Sequence, residues 1–253
     1  MLVVGDKHQS IYGFRGAMNG IMDQFVKDKT ATLLPLNICY RCSKAVIREA
    51  QKYVPEIEAC EGAPEGAVGD VSMARFEKEV GAGDFALCRK VAPIVKSCLK
   101  LIRMGRQAMV RGRKIGEDLA DVLDNLPGRE DLTDALNIYR SQKIERLSKS
   151  RYADQQIEEL NDKVDTLLAI TESTENGTLS EVKAKIRDLF SDTLDSEKII
   201  FSSIHKAKGL ESDRVYILPS TPVKVTQEWQ QEQESNLMYV AITRARLELY
   251  YVN

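Results

Sequence analysis

Short apolar runs rich in β-branched residues alternate with segments of helical period at both ends of the chain, and this alternation constrains the fold most. Runs at 2–4, 32–36, 68–72, 85–88, 107–110, 198–204, 214–218 and 247–252 read as strands, with helices between them. Such βαβ units bury both faces of a mostly parallel sheet, so the expected class is α/β. With 253 residues and 43% hydrophobic content, the chain can furnish the core that such a sheet needs.

Local signals place some helix ends. Ser43 reads as the N-cap of a helix reaching about Tyr53, stopped by Val54-Pro55 because the residue before proline disfavours α geometry. Pro93 suits the first turn of a helix reaching Met104, with Gly105 as its stop. The middle of the chain has a different texture. Ile157, Leu160, Val164, Leu167 and Thr171 recur at three and four residues, as do Leu179, Val182, Ile186 and Leu189, with Thr178 to Glu181 resembling a capping box. Residues 128–195 therefore read as a helical insertion in the α/β framework, with 172–177 as a polar turn.

Composition narrows the function. No apolar run approaches the ~20 residues that span a bilayer, and residues 1–5 are too short for a signal peptide, so the expectation is an intracellular protein with no membrane partner. Five cysteines, at 39, 42, 60, 88 and 98, are odd in number and unevenly spaced, which argues for reduced thiols. Cys39 and Cys42 form a lone CxxC with no second pair, and no metal site is expected. Net charge is −2, without the overall basic footprint of a nucleic-acid binder. Locally, however, Arg89 to Lys114 holds nine Lys or Arg and no acid, whereas 129–195 holds fifteen acids against ten bases. By itself the basic stretch reads more simply as a solvated helix face.

Four strings carry chemistry. The first runs from Val4 to Ala17 and places Gln9, Tyr12, Phe14 and Arg15 in a polar loop after an apolar run. An amide there can orient a phosphate or a water, the aromatics offer stacking faces, and the arginine can grip a phosphate. On composition alone an ordinary turn with buried aromatics is the simpler reading. The second, Leu36 to Ser43, sets Tyr40 beside Arg41 just before a helix, a stacking ring next to a bidentate phosphate ligand. The third, Ser202 to Glu211, puts Ser203, His205, Lys208 and Glu211 at a strand end, the usual place for a phosphate-approachable loop. A histidine in such a loop is more often a structural hydrogen-bonder than a catalyst, so His205 is given no acid/base role. The fourth, Glu234 to Ala245, ends in Thr243-Arg244-Ala245.

In that order the strings resemble motifs III, IV, V and VI of the UvrD/Rep-type superfamily 1 DNA helicases. The first is close to GDxxQSIYxFRGA, with Phe14 where many relatives have Trp. The second resembles a Tyr-Arg-Ser core, with Cys42 in the place of the immediate Ser. The third resembles TxHxxKGLE, with Ser203 for the usual Thr. The fourth keeps a YVAxTRA core, with Ser235 and Asn236 where many relatives have two arginines. The resemblance covers the first 15 or so residues, 32–114 more loosely and 196–253 closely. It implies a RecA-like, P-loop-NTPase-type parallel sheet flanked by helices. Residues 1–20 would then be the tail of a first RecA-like domain, 21–127 with 196–253 the second, and 128–195 a reduced accessory subdomain, shorter than that of UvrD itself.

The resemblance also implies roles. Gln9, Arg41 and Arg244 would meet the γ-phosphate of ATP, with Arg244 stabilising the transition-state charge. Tyr40 would stack on adenine and Glu211 would bind the ribose. Tyr12, Phe14, Arg15, Ser203, His205 and Lys208 would contact single-stranded DNA. Neither GxxxxGK[ST] nor the family's magnesium-binding Asp-Glu motif occurs in the chain. The expectation is therefore the C-terminal half of an ATP-dependent DNA helicase acting in DNA repair, cytoplasmic or nucleoid-associated and inert alone. An N-terminal RecA-like domain would supply the rest of the site for ATP with Mg2+, and a protein partner would meet the insertion. The alternative is a non-catalytic module that binds single strands or a protein.

Overall fold

The structure is a computed structural model, which describes residues 2–12, 21–126, 131–150, 153–193, 195–222 and 227–253. After a 3-10 turn at Lys7–Gln9 come α1 (Ile21–Lys29), β1 (Ile38–Cys39), α2 (Lys44–Ala50), β2 (Glu58–Ala59) and β3 (Ala67–Val71). Then follow α3 (Met73–Glu79), β4 (Phe85–Cys88), α4 (Val91–Arg103), β5 (Ala108–Arg111) and α5 (Arg113–Asp124). The middle segment holds α6 (Leu132–Leu147), α7 (Ala153–Thr171), α8 (Leu179–Leu189) and β6 (Phe190–Ser191). The chain closes with β7 (Ile199–Ser203), α9 (Ile204–Ala207), β8 (Ser212–Ile217), α10 (Glu228–Ile242) and β9 (Ala245–Val252). Seven strands form one sheet in the order β3-β9-β8-β4-β7-β5-β6. The described ladders are parallel, as expected of an α/β fold.

The chain divides into two compact units: Met1–Ser72 with Ala207–Ile217 and Thr221–Asn253, and Met73–Lys206 with Leu218–Ser220. In the first, β9 lies between β3 and β8, and Tyr216 stacks on Tyr250 at 5.6 Å. Val46, Ile47 and Ala50 of α2 are buried on this sheet, each large apolar side chain contributing roughly 1.5–3 kcal/mol. Gly66 has φ +69, and a Cβ there would meet Ser43 Oγ at 2.1 Å and the Leu247 carbonyl at 2.3 Å, so only glycine lets these segments close.

In the second unit every residue of β4 and β7 is buried, the pattern of a strand covered on both faces. Phe76 meets Phe201 edge-on at 6.4 Å. The predicted stripes of the middle segment become packing surfaces: Leu160, Val164, Leu167 and Thr171 on α7, which packs on α4 and α6, and Val182, Ile186 and Leu189 on α8, which packs on α5. The polar turn at 172–177 is present, and Thr178 Oγ1 accepts the Glu181 N–H at 3.4 Å. The Glu181 carboxylate is bound by the backbone N–H and side-chain amide of Asn176.

Several expectations need correction. The runs at 2–4 and 32–36 are not strands; Leu2, Val4, Leu34 and Leu36 stand exposed. A β-prone run becomes a strand only where a neighbour completes its ladder, and no described segment does so there. Conversely, the two-residue pair β1–β2 and the edge strand β6 are too short to show a period. Ser43 occupies the N-cap position of α2 but does not cap it; its hydroxyl donates to the Leu247 carbonyl at 3.0 Å, and the Lys44 and Ala45 N–H groups go to the carbonyls of Pro64 and Glu65. The basic stretch is largely tied down within its own unit. Lys90 pairs with Glu158 at 2.9 Å, Lys100 with Glu77 at 2.6 Å, and Arg111 donates to the Asp192 carbonyl at 2.9 Å. No described helix is long and apolar enough to cross a membrane.

Among the polar contacts between the middle segment and the α/β framework, one ties down a helix start. The Asp162 carboxylate on α7 accepts the Val91 and Ala92 N–H groups at 2.8 and 2.9 Å, satisfying two orphan donors at the start of α4. Asp162→Ala is expected to lower the unfolding free energy by about 1–2 kcal/mol, with Asp162→Asn between it and wild type. Urea midpoints measure this, and an unchanged midpoint for the alanine variant would remove the contact from any account of stability.

Candidate functional site

The first unit gathers parts of all four strings. At its start, Asp6 folds the Lys7–Gln9 turn: its carboxylate accepts the His8 N–H at 2.9 Å and the Gln9 side-chain amide at 2.8 Å. Gln9 is thus turned back on its own loop. The loop is held to α10 by two amides three residues apart, one helical turn and so one face. Gln233 Nε2 and Asn236 Nδ2 donate to the Ser10 carbonyl at 3.0 and 3.1 Å, and Asn236 reaches the Lys7 carbonyl at 3.4 Å. His8 lies 3.4 Å from the Glu56 carboxylate and edge-on to Tyr239. Sequence reasoning missed Gln233 and Asn236 as positioning residues; the signal was a pair of amides at that spacing on an otherwise apolar face.

Lys208 joins the first and third strings across 199 residues of sequence: its Nζ donates to the Gln9 carbonyl at 2.8 Å and lies 5.9 Å from the centroid of the Tyr12 ring. Gly209, at φ +86, makes the turn that follows. Tyr40 is 82% exposed, a ring with its face available for stacking. Arg41 Nε meets Glu211 at 2.5 Å; its side chain is 40% exposed, and the same carboxylate lies 3.7 Å from Arg246. Tyr40, Arg41 and Glu211 are thus surface groups, and an exposed ion pair of this kind is worth only about 0–1 kcal/mol.

Arg244 is placed differently. It is 1% exposed, with Nε donating to the Val240 carbonyl at 2.9 Å, Nη1 to the Leu210 carbonyl at 3.0 Å and Nη2 to Thr243 Oγ1 at 3.1 Å. Burial, then the neighbouring Arg41 charge, pull its pKa below the ordinary guanidinium range. Sequence reasoning expected an arginine presented to a phosphate; in this structure the side chain is buried, with each of its three nitrogens donating one bond to the chain itself.

Ser203 and His205 lie in the second unit. Ser203 is buried, and its Oγ accepts the Lys206 N–H at 3.4 Å at the start of α9, while His205 is half-buried within that helix. Phe14 and Arg15 lie outside the described residues. Among the described residues no group of three or more His, Cys, Asp or Glu side chains could hold a metal ion.

The sequence model of the UvrD-like helicase C-terminal domain matches residues 22–252, and that of the UvrD/REP helicase N-terminal domain matches residues 1–30. No curated protein matches the chain. Among solved structures, the C-terminal domain of a possible DNA helicase from Lactobacillus plantarum WCFS1 is 15% identical, with 84% of this chain and 86% of that one covered and a TM-score of 0.35.

Removing the Arg244 side chain takes one donor from each of the Val240 and Leu210 carbonyls and leaves a cavity at the end of α10. Arg244→Ala is expected to cost about 2–4 kcal/mol of stability in the chain alone, with no ligand present. Thermal and urea unfolding measure it; a loss below about 0.5 kcal/mol would show that the side chain is held less firmly than its contacts require.

Proposed function

The chain belongs to the UvrD-like helicase C-terminal domain family, and from that premise we propose that it is the C-terminal half of an ATP-dependent DNA helicase or translocase. The observation that supports this most is convergence. Strings lying some 200 residues apart meet in one unit through the Lys208 bond to Gln9, the Arg41 pair with Glu211 and the Cys42 thiol donating to the Thr243 carbonyl at 3.7 Å.

In this reading the exposed Tyr40 ring stacks on adenine and Arg41 turns to the γ-phosphate. The Arg41–Glu211 pair is a weak latch. A triphosphate offers more negative charge than one carboxylate and binds a guanidinium in a bidentate fashion, so it displaces Glu211, whose carboxylate is then free for the ribose hydroxyls. Gln9 leaves Asp6 in the same way to orient a phosphate or water. Arg244 acts from behind, by fixing the Thr243–Ala245 junction and by its charge, unless closure draws it outward. These side chains suit the base, sugar and γ-phosphate of ATP. The described residues do not suit Mg2+, whose ligands would belong to an N-terminal RecA-like domain docked on this unit. Tyr12 and Lys208, with Phe14, Arg15, Ser203 and His205, would grip single-stranded DNA through stacking and phosphate contacts. Domain closure and reopening would convert hydrolysis into steps along the strand. Residues 128–195 would be the reduced accessory subdomain and the place where a protein partner docks.

The burial of Arg244 favours a second reading, a non-catalytic module that keeps the DNA-gripping surface without the phosphate chemistry. Arg41, exposed and easily spared by the fold, separates the two. In the complete helicase, Arg41→Ala is expected to lower DNA-stimulated ATP hydrolysis by on the order of 10³ with an unchanged unfolding midpoint; normal turnover would remove Arg41 from the phosphate site, and a complete protein without DNA-stimulated hydrolysis would decide for the module. For the chain alone, affinity for a single-stranded oligonucleotide should fall roughly tenfold or more between about 50 and about 200 mM salt. Absent or salt-insensitive binding would overturn the DNA contacts.

A further inference from the structure

Two thiols of the first unit bracket the Tyr40–Arg41 pair, and their surroundings differ. Cys39 is half-buried at the end of β1, where its carbonyl accepts the Cys60 N–H at 3.1 Å. Cys42 is 1% exposed, its thiol donating to the Thr243 carbonyl at 3.7 Å, and it lies three residues beyond Cys39 across the bend at 40–42. The backbone on both sides is pinned, at Cys39 by the β1–β2 ladder and just after Cys42 by the Ser43 N–H bond to the Arg246 carbonyl at 2.7 Å. The chain thus holds one reachable sulfur against one sheltered sulfur, with an exposed tyrosine and arginine between them.

We propose that Cys39 and Cys42 are a dithiol site that closes reversibly to a disulfide by exchange with a small-molecule disulfide such as oxidised glutathione. The Cys39 thiolate attacks one glutathione sulfur, the glutathione S–S bond breaks, and a glutathione thiolate leaves. Cys42 then gives up its proton and attacks the Cys39 sulfur of the mixed disulfide. The new S–S bond joins Cys39 to Cys42, and a second glutathione thiolate is expelled. Two electrons and two protons pass from the protein to one oxidised glutathione, which becomes two reduced glutathiones. The order follows from access, because the solvent-borne reagent reaches Cys39 and not Cys42.

Electrostatics point the same way. The neighbouring Cys42 thiol, with the backbone N–H groups of Cys42 and Arg41 and the Arg41 charge, holds Cys39 well below the usual thiol range against the opposing pull of its burial. The same pairing and its own burial push Cys42 up. Cys88 and Cys98 are fully buried, and burial raises both. Two thiols alone do not complete a zinc site, which takes four ligands. The site stands on these contacts and is independent of the helicase reading.

The test uses the chain as purified. After equilibration with oxidised glutathione, acid quench and alkylation, two of the five thiols should be lost. Trypsin cuts after Arg41, so its peptides carrying Cys39 and Cys42 should remain joined until a reductant is added. Cys42→Ser should stop at a stable glutathione adduct on Cys39, and Cys39→Ser should block both steps. In the unmodified chain, alkylation of Cys39 should remain fast at about pH 6, where an ordinary thiol with a pKa of about 8.5 is almost wholly protonated. Five free thiols after oxidation, a bridge to Cys60, or a Cys39 alkylation rate that falls about tenfold per unit below about pH 8 would each overturn the proposal.

Discussion

A guanidinium cannot be taken out of water unless its N–H groups find acceptors, and burial of Arg244 imposes that demand on the junction between α10 and β9. The acceptors come from the last turn of α10, at Val240 and Thr243, and from the segment after α9, at Leu210. Once they are in place, neighbouring backbone is fixed too. The Ser212 N–H bonds the Arg244 carbonyl at 3.0 Å, the Cys42 thiol reaches the Thr243 carbonyl, and the Ser43 N–H meets the Arg246 carbonyl. Three of the four chemically informative strings are thereby tied to one turn of chain, and the fourth is tied to the adjacent helix by Gln233 and Asn236.

This arrangement separates support from contact. Arg244, Cys42, Ser43 and Asn236 are buried and fully engaged with the chain; Tyr40, Arg41, Lys208 and Glu211 stand at the surface above them, joined by weak pairs that a ligand could exchange for its own charges. A rigid floor under exchangeable surface groups is the usual construction of a site that must bind and release. The amides of α10 belong to the support. Asn236 gives its side-chain N–H donors to the Lys7 and Ser10 carbonyls of the first loop rather than reaching outward.

The second unit rests on a different economy. The strands β4 and β7 are buried throughout, α4 packs on both, and the middle segment adds a second layer, with α7 on α4 and α8 on α5. Its acids also serve the α/β framework: Glu158 meets Arg89 and Lys90, and Asp162 caps α4. The basic run and the acidic segment that follows thus meet at Glu158, while Lys100 and Lys114 pair with acids outside that segment.

What the sequence determined by itself was whatever depends on local spacing. Short apolar runs located the six longer strands of the sheet, the 3.6 period located α7 and α8 but gave no sign of α6, and the four strings carried the family, which the match over residues 22–252 shows. Tertiary structure alone decided which groups are buried and which are free. The runs at 2–4 and 32–36 have strand-like composition, yet no described neighbour completes their ladders. Ser43 has the right chemistry for a cap, yet the Leu247 carbonyl lies closer to hand. Arg244 and Arg41 are the same residue type in comparable motifs, but one faces acceptors inside the fold and the other faces water. Hydrogen-bond partners and solvent access come from residues distant in sequence, and no local pattern encodes them.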